Sequence, residues 1–331
     1  MNEKYKALQI DFKNNKYQAN IVNLTIPKLQ NGQLLIKISY SSLNYKDCLS
    51  ISGHRGVTRN YPHIPGVDLA GVIMESKASN FREGEEIIAT GYDIGMNHPG
   101  GFAEYVVLNS ELVVKKPKNL SLRQAMLFGT AGFAAALSVN YIEKFINDIS
   151  DKKILVTGAK GGVGLISLLL LKNKADNLLV SSRGNDQDFF NKIGLENISF
   201  VNFSDDLKNT KPLLDKNFDI VIDNLGGEIL ESIIKQVNYN GIICACGNIL
   251  GNNLASTLFP FILRGIRLQG ISSANCNMKI RKEIWSDISS FKDWENLESA
   301  VKEISLLEVK DKSQLMLQGK SEGRYLVRLD V

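Results

Sequence analysis

Over the first third of the chain the apolar residues come in short, strand-length runs; beyond it, such runs alternate with helical stretches. Leu34 to Ile38 alternates, and Gly66 to Met74, Glu86 to Thr90, Tyr105 to Val107 and Leu112 to Val114 are short apolar runs punctuated by Gly, Pro and Asn. That pattern predicts an all-β segment up to about Lys118. Between about Leu122 and Ser273 the predicted strands are Ile154–Thr157, Leu178–Ser181, Phe218–Asp223 and Gly241–Gly247, with helices at Leu165–Lys174 and Asp186–Ile193. Strands separated by helices require crossover connections, and therefore a parallel sheet. From about Trp294 the pattern predicts a helix, Leu297–Leu307, and a closing strand, Tyr325–Leu329. The closing strand needs a sheet, and the N-terminal β segment is its natural host. The fold class is α/β, in two domains: 1–122 completed by 294–331, and 123–293.

Composition narrows the function classes. A chain of 331 residues is long enough for two domains. Its 44% hydrophobic and 22% charged content exclude disorder as a description of the whole. A net charge of +4, without a basic stripe carrying interleaved aromatics, gives no case for nucleic acid. The longest unbroken apolar stretch, around Leu168 to Leu171, falls far short of the ~18 residues of a membrane span. Met1 to Tyr5 has no signal-peptide pattern. Cys48, Cys244, Cys246 and Cys276 are too scattered for a disulfide framework. The expectation is a cytoplasmic protein with no membrane and no nucleic-acid partner.

The strongest local signal is Gly158-Ala159-Lys160-Gly161-Gly162-Val163-Gly164, directly after one predicted strand and before a helix. A dinucleotide pyrophosphate needs bare backbone N–H groups at a helix N-terminus, and residues without Cβ let the chain approach it. The strand–turn–helix context is what this motif requires. The end of the next strand bears on which nicotinamide cofactor is bound. NAD sites place a carboxylate there for the ribose hydroxyls, whereas this chain has Ser181-Ser182-Arg183 and no carboxylate before Asp186. Hydroxyls and a guanidinium suit the 2′-phosphate of NADP. The alternative is that Arg183 is a solvated surface charge.

Five further segments, in order, carry a family resemblance: Ser42–Asp47, Pro65–Gly71, Gly100–Tyr105, Gly129–Ala135 and Pro260–Gly270. With the glycine-rich turn they make the chain resemble, over its whole length, a medium-chain dehydrogenase/reductase. It looks most like the zinc-independent branch of quinone oxidoreductases and acryloyl-coenzyme A reductases. The resemblance implies a GroES-like β-rich catalytic domain and a Rossmann NADP-binding domain of doubly wound parallel sheet. It also implies a homodimer paired through Arg267–Ser272. Zinc-bearing members hold their metal with an early cysteine and a histidine after the Pro-Gly pair; here those positions are Asn44 and Val67. His54, His63 and His98 are too widely spaced for a local metal motif, and no metal is expected.

The implied chemistry is NADPH-dependent reduction of the C=C bond of an α,β-unsaturated carbonyl compound, most simply an acryloyl-coenzyme A thioester. The alternatives are a quinone reductase and a catalytically idle NADPH-binding sensor. Tyr45, Asn44 and Asp68 are the catalytic candidates. Tyr45 is set against the nicotinamide by the resemblance and oriented by Asn44, unless Asn44 is only an N-cap and Tyr45 only packing. Asp68 is either an active-site acid with a shifted pKa or a buried carboxylate accepting backbone N–H bonds. The resemblance places Lys160, Gly161, Gly162 and Val163 on the pyrophosphate, Ser181, Ser182 and Arg183 on the 2′-phosphate, and Asn202 near the adenosine. It places Asn248, Ile262 and Ser273 near the nicotinamide. Thr130 touches the cofactor or lets its helix pack closely. The cations of the Arg55 to Arg59 loop, with Lys46, could meet the phosphates of a thioester substrate.

Overall fold

The computed structural model describes residues 4–181 and 186–329. Among them the strands are β1 (Lys4–Lys13), β2 (Lys16–Thr25), β3 (Gln33–Leu43), β4 (Asp68–Ser76), β5 (Glu86–Thr90), β6 (Tyr105–Asn109), β7 (Val113–Lys115), β8 (Lys153–Val156), β9 (Asn177–Ser181), β10 (Ser199–Val201), β11 (Phe218–Asp223), β12 (Val237–Ala245), β13 (Arg267–Gly270), β14 (Val301–Ser305) and β15 (Arg324–Arg328). The helices are α1 (Tyr45–Ile51), α2 (Leu122–Phe145), α3 (Gly162–Leu171), α4 (Gln187–Lys192), α5 (Gly227–Ile234), α6 (Phe259–Arg264), α7 (Met278–Ile288), α8 (Trp294–Ser299) and α9 (Val309–Leu317). Two compact units divide the chain: Met1–Thr130 with Ser273–Ser290 and Val301–Val331, and Ala131–Ser272 with Phe291–Ala300.

The first unit is mostly antiparallel sheet. Its main sheet has the order β14-β15-β3-β4-β5-β7, with β6 also paired to β3. The inward residues Leu34, Ile36, Ile38, Leu69, Ile87 and Phe102 are buried in one core, each contributing about 1.5–3 kcal/mol of transfer free energy. β15 runs antiparallel to β3, with Tyr325 opposite Leu43 and Arg328 opposite Tyr40. This is the sheet the sequence pattern assigns to the closing strand. The helix predicted at Leu297–Leu307 is corrected: α8 stops at Ser299, and Val301–Ser305 lies as a strand parallel to β15. The β-branched Val301 and Ile304 gain a strand partner there, which overrides local helix preference. β1 and β2 form a separate antiparallel hairpin, turned at Asn14 and Asn15, both at positive φ.

The segment Ser273–Ser290 belongs to this unit, whereas the ranges expected from sequence put it with the parallel sheet. The reason is Arg281 on α7, which is buried. It donates to Thr90 Oγ1 (2.8 Å) and to the carbonyls of Ser273 (2.8 Å) and Ala274 (3.1 Å). Its guanidinium lies 4.4 Å from the centre of the Tyr92 ring.

The second unit holds a parallel sheet of order β10-β9-β8-β11-β12-β13. Sequence order runs outward from β8 on one side and from β11 on the other. The reversal between β8 and β11 is the position where open α/β sheets bind ligands, outside the carboxyl ends of the strands. α3 follows β8 directly and buries Leu165, Ile166, Leu168, Leu169 and Leu171, which accounts for its near-continuous apolar sequence. α2 is long and apolar enough to cross a membrane, but most of it is buried inside the protein. It is broken at Gly129, where φ is 52° and ψ is −152°.

Candidate active site

The break at Gly129 exposes two sets of backbone groups, and each meets a charge. The carbonyls of Leu127 and Phe128, at the end of the first helical segment, accept from Arg324 Nε (3.1 Å) and Nη2 (3.2 Å). The N–H of Thr130, which opens the second segment, donates to Asp68 Oδ2 at 2.8 Å. A cation therefore sits at a helix C-terminus and an anion at a helix N-terminus, the favourable sense for both dipoles. Asn44 links the two charges. Its Nδ2 donates to Asp68 Oδ2 (2.7 Å), and its Oδ1 accepts from Arg324 Nη1 (3.0 Å). Ser42 Oγ donates to Asp68 Oδ2 as well (2.6 Å), and Thr130 Oγ1 donates to Oδ1 (2.5 Å).

Asp47, on the first turn of α1, forms the next layer. Its Oδ2 accepts from Asn44 N and its Oδ1 from Val67 N, both at 2.8 Å. Burial, with the charge of Asp68 adding to it, pushes the Asp47 carboxyl up to about 7 against the pull of those N–H groups. Burial also draws the Arg324 guanidinium below its ordinary value, and Asp68 and Asp47 hold it up. Asp68, Asp47, Asn44 and Arg324 are all buried.

Of the three expected catalytic residues, Asn44 and Asp68 have their polar atoms spent inside this network. Tyr45 is half-buried at the start of α1 and has no hydrogen-bond partner among the described residues. Of the two sequence alternatives for Asp68, the geometry is that of a buried carboxylate satisfied by protein donors. The position of a zinc ligand offers no fit. Asn44 is engaged at both ends of its amide, and the Val67 side chain has no lone pair. Among the described residues no group of three or more His, Cys, Asp or Glu could hold a metal ion. Burial raises the thiols of Cys48, Cys244, Cys246 and Cys276, which leaves them poor nucleophiles.

In the second unit the glycine-rich turn leaves β8 and enters α3. Gly158 has a φ of +59°, and its neighbour across the turn is Asn224, at the end of β11. Thr157 Oγ1 donates to Asp223 Oδ1 (2.7 Å) and accepts from Asn224 N (2.9 Å), while Asn224 Nδ2 donates to Thr157 O (2.7 Å). These bonds fasten the turn to the β8–β11 reversal. A Cβ on Gly164 would lie 2.5 Å from Gly158 O and 2.7 Å from Ala159 Cα. Gly161 caps α3 and no side chain caps the helix. The first N–H groups of α3, from Gly162 and Val163 onward, therefore point outward for an anion, and the turn fits a dinucleotide pyrophosphate.

The other sequence-predicted cofactor residues are distributed as follows. Ser181 ends β9, and Asn202 follows β10, exposed, with Oδ1 accepting from Ser204 N at 2.9 Å. Asn248 follows β12 and is exposed. The structure thus brings Gly161, Gly162, Val163, Ser181, Asn202 and Asn248 to the carboxyl edge of the parallel sheet. Lys160 Nζ pairs with Asp186 Oδ1 at 2.8 Å. Ile262 lies on α6 and is 70% exposed. Ser273 and Thr130 fall in the first unit, where the Ser273 carbonyl is taken by Arg281 and Thr130 by Asp68. Ser182 and Arg183 lie outside the described residues. Sequence reasoning missed Arg324 and Ser42 in the buried network, and Thr157, Asp223 and Asn224 behind the turn. Arg324 is 280 residues from Asn44, too far for any local pattern to join them.

Comparison with known proteins adds to this geometry. A family model described as the alcohol dehydrogenase GroES-like domain matches residues 30–118. YhfP of Bacillus subtilis, provisionally named a quinone oxidoreductase, is 36% identical over 335 aligned positions, covering 99% of this chain and 100% of its own. Acrylyl-CoA reductase AcuI of Ruegeria pomeroyi is 31% identical, over 98% of each chain. The YhdH oxidoreductase of Salmonella enterica, crystallised with NADP, superposes with a TM-score of 0.92 at 33% identity, over 98% of this chain and 100% of that one. YhfP, crystallised with NAD, superposes with a TM-score of 0.91 at 34% identity, over 99% of this chain and 100% of its own.

Proposed function

The chain belongs to the medium-chain dehydrogenase/reductase family, and on that footing we propose that it reduces the C=C bond of an α,β-unsaturated carbonyl compound with NADPH, the substrate being an acryloyl-coenzyme A type thioester. The observation that carries the reading is the bare glycine turn fastened at the strand-order reversal of the parallel sheet. Full-length similarity to an acrylyl-CoA reductase supports the choice of substrate. The similarity to YhfP favours a second reading, quinone reduction.

Lys160, Gly161, Gly162 and Val163 hold the pyrophosphate. Ser181, with Ser182 and Arg183 following it in sequence, takes the 2′-phosphate of NADP; Asn202 lies toward the adenosine, and Asn248, Ile262 and Ser273 toward the nicotinamide. Bound NADPH supplies the hydride for the carbon β to the carbonyl. Negative charge then develops on the carbonyl oxygen, a positioned donor lowers that cost, and a proton from a side chain or water completes the reduction at the α carbon. Tyr45 is that donor, since its hydroxyl has no hydrogen-bond partner among the described residues. Asn44 and Asp68 act behind it as positioning residues, tying the start of α1 to the break in α2. No step calls for a metal, in keeping with an Asn44 amide already engaged at both ends.

The same reading makes the protein a cytoplasmic homodimer. Among the described residues β13 ends the parallel sheet, and Leu258, Phe259, Ile262 and Leu263, shortly before it in sequence, are 50–70% exposed. An unpaired strand edge next to an apolar patch of this kind invites a second copy.

The test is a steady-state assay of the purified protein with NADPH and with NADH, against acryloyl-coenzyme A, crotonyl-coenzyme A and simple quinones. Turnover of the thioesters with NADPH preferred is the expected result. Quinone reduction without thioester turnover would establish the second reading, and equal use of NADH would remove the role given to Arg183.

A further inference from the structure

The first unit carries a second chemistry-bearing feature, at the opposite end of α1 from Tyr45. A cleft of about 460 Å³ is lined by Phe12, Tyr17, Arg55, Arg59 and Tyr61. Three of these are aromatic rings in a row: Phe12 and Tyr17 have centroids 4.7 Å apart, and Tyr17 and Tyr61 5.1 Å apart. The hairpin β1–β2 supplies the first two rings, and the loop after α1 supplies the third with both arginines. That loop is built to hold its shape. Thr58 is buried and its Oγ1 is 2.7 Å from the buried Ser50 Oγ on α1. Val57 N and Thr58 N both donate to His54 O, at 2.9 and 3.2 Å. Gly53, at a φ of +83°, lies so close to Tyr17 that a Cβ would stand 2.1 Å from the ring. The rings are therefore wedged between hairpin and loop. Neither guanidinium has a hydrogen bond or an ion pair among the described residues, and both arginines are exposed.

Three adjoining rings, tilted by 37° and 53° to one another, beside two unpaired guanidiniums present apolar ring faces and fork-shaped donors together. That combination suits a purine carrying phosphate: the base stacks on an aromatic ring or on guanidinium, and the phosphate takes bidentate, charge-assisted bonds. The volume is that of an ordinary small-ligand site. α1 has seven residues, so the cleft lies roughly 10 Å of helix from Tyr45. A pantetheine arm covers such a span easily.

We propose that this cleft binds phosphorylated adenosine, and that it receives the adenosine 3′-phosphate end of the coenzyme A thioester while the acyl group lies near Tyr45. The second half of the statement rests on the thioester reading given above. The source of the nucleotide, a coenzyme A ester or a free adenine nucleotide, is decided by the test.

The double variant Arg55→Gln/Arg59→Gln is compared with the wild type on acryloyl-coenzyme A and on the N-acetylcysteamine thioester of acrylate, which keeps the acyl group and lacks the nucleotide. Both arginines are exposed, so the fold is not at stake. The expected result is a KM for acryloyl-coenzyme A raised about tenfold or more, kcat within about twofold, and unchanged kinetics on the truncated thioester. An unchanged KM for acryloyl-coenzyme A overturns the proposal while leaving the reductase reading intact. If the wild type turns over neither thioester, the reductase reading fails on its own, and calorimetric titration with adenosine 3′,5′-bisphosphate decides the cleft. Binding that is lost in the double variant upholds a free nucleotide as its ligand, and no binding to the wild type overturns it.

Discussion

Substituting Gly129 by alanine would place a Cβ 2.3 Å from Asp68 Oδ2, 2.5 Å from Ser42 Oγ and 2.9 Å from Arg324 Nη2. Two costs follow. The backbone at φ 52° and ψ −152° is one that L side chains scarcely adopt, which costs about 1–3 kcal/mol. The methyl group also drives the Asp68 carboxylate away from its partners. Losing even two of its buried bonds, from Ser42 and Asn44, costs about 1.5–3 kcal/mol each. Allowing for partial relaxation, Gly129→Ala loses about 4–6 kcal/mol, a large share of the ~5–15 kcal/mol that stabilises a typical domain. Gly84→Ala provides the control, because Gly84 is also at positive φ (+81°) but a Cβ there meets nothing within 4 Å. Its cost is the backbone term alone, about 1–2 kcal/mol. Urea unfolding of both variants, followed by circular dichroism, measures the difference. If Gly129→Ala is no more destabilising than Gly84→Ala, the buried network does not hold the break in the way described.

Three further outcomes are expected. Asp47 carries a folded pKa of about 7 against an ordinary 3.8. Between those values the folded state binds a proton that the unfolded state does not, so this residue's contribution is complete below about pH 4 and falls by about 1.4 kcal/mol per pH unit as pH rises toward 7. Asp47→Asn removes that slope from melting temperatures measured between pH 4.5 and 7.5; a slope equal to that of the wild type would refute the assignment. Gly164→Ala brings a Cβ against Gly158 O and Ala159 Cα, both backbone atoms unable to swing aside, and weakens NADPH binding about tenfold or more in a fluorescence titration. A loss under about twofold would show that the turn tolerates a side chain there. Leu258→Asp with Leu263→Asp yields monomers in sedimentation analysis, and a double variant that stays dimeric would move the interface elsewhere.

What could be read from the sequence was whatever depends on backbone demands within a few residues. The glycine turn sits between β8 and α3 because a tight turn and close helix packing both exclude Cβ. The alternation of β8, α3, β9 and α4 follows from period and punctuation. The hairpin β1–β2 went unread although Tyr17, Ala19 and Ile21 alternate with polar residues and Asn14-Asn15 is a turn pair. Its strands carry enough outward polar residues to look like loop. Asp68 was visible as a residue, but its state was not. The donors that satisfy it come from β3, from the residue before α1 and from α2, and only tertiary structure assembles them. The range expected for the parallel-sheet unit took in Ser273–Ser290 because the bonds of Arg281 reach back to Thr90, 191 positions away. No window along the chain contains both.

Arg324 arrives late in synthesis. A nascent chain has translated Leu127, Phe128 and Gly129, and all of the parallel-sheet unit, before β15 exists to pair with β3. Until then Tyr40–Leu43 of β3 lack the partner that β15 supplies, and the two kinked halves of α2 have only one of their two charged anchors. The parallel-sheet unit is thus fully translated while its neighbour is still waiting for a guanidinium, and a chain ending short of residue 324 would lack that latch.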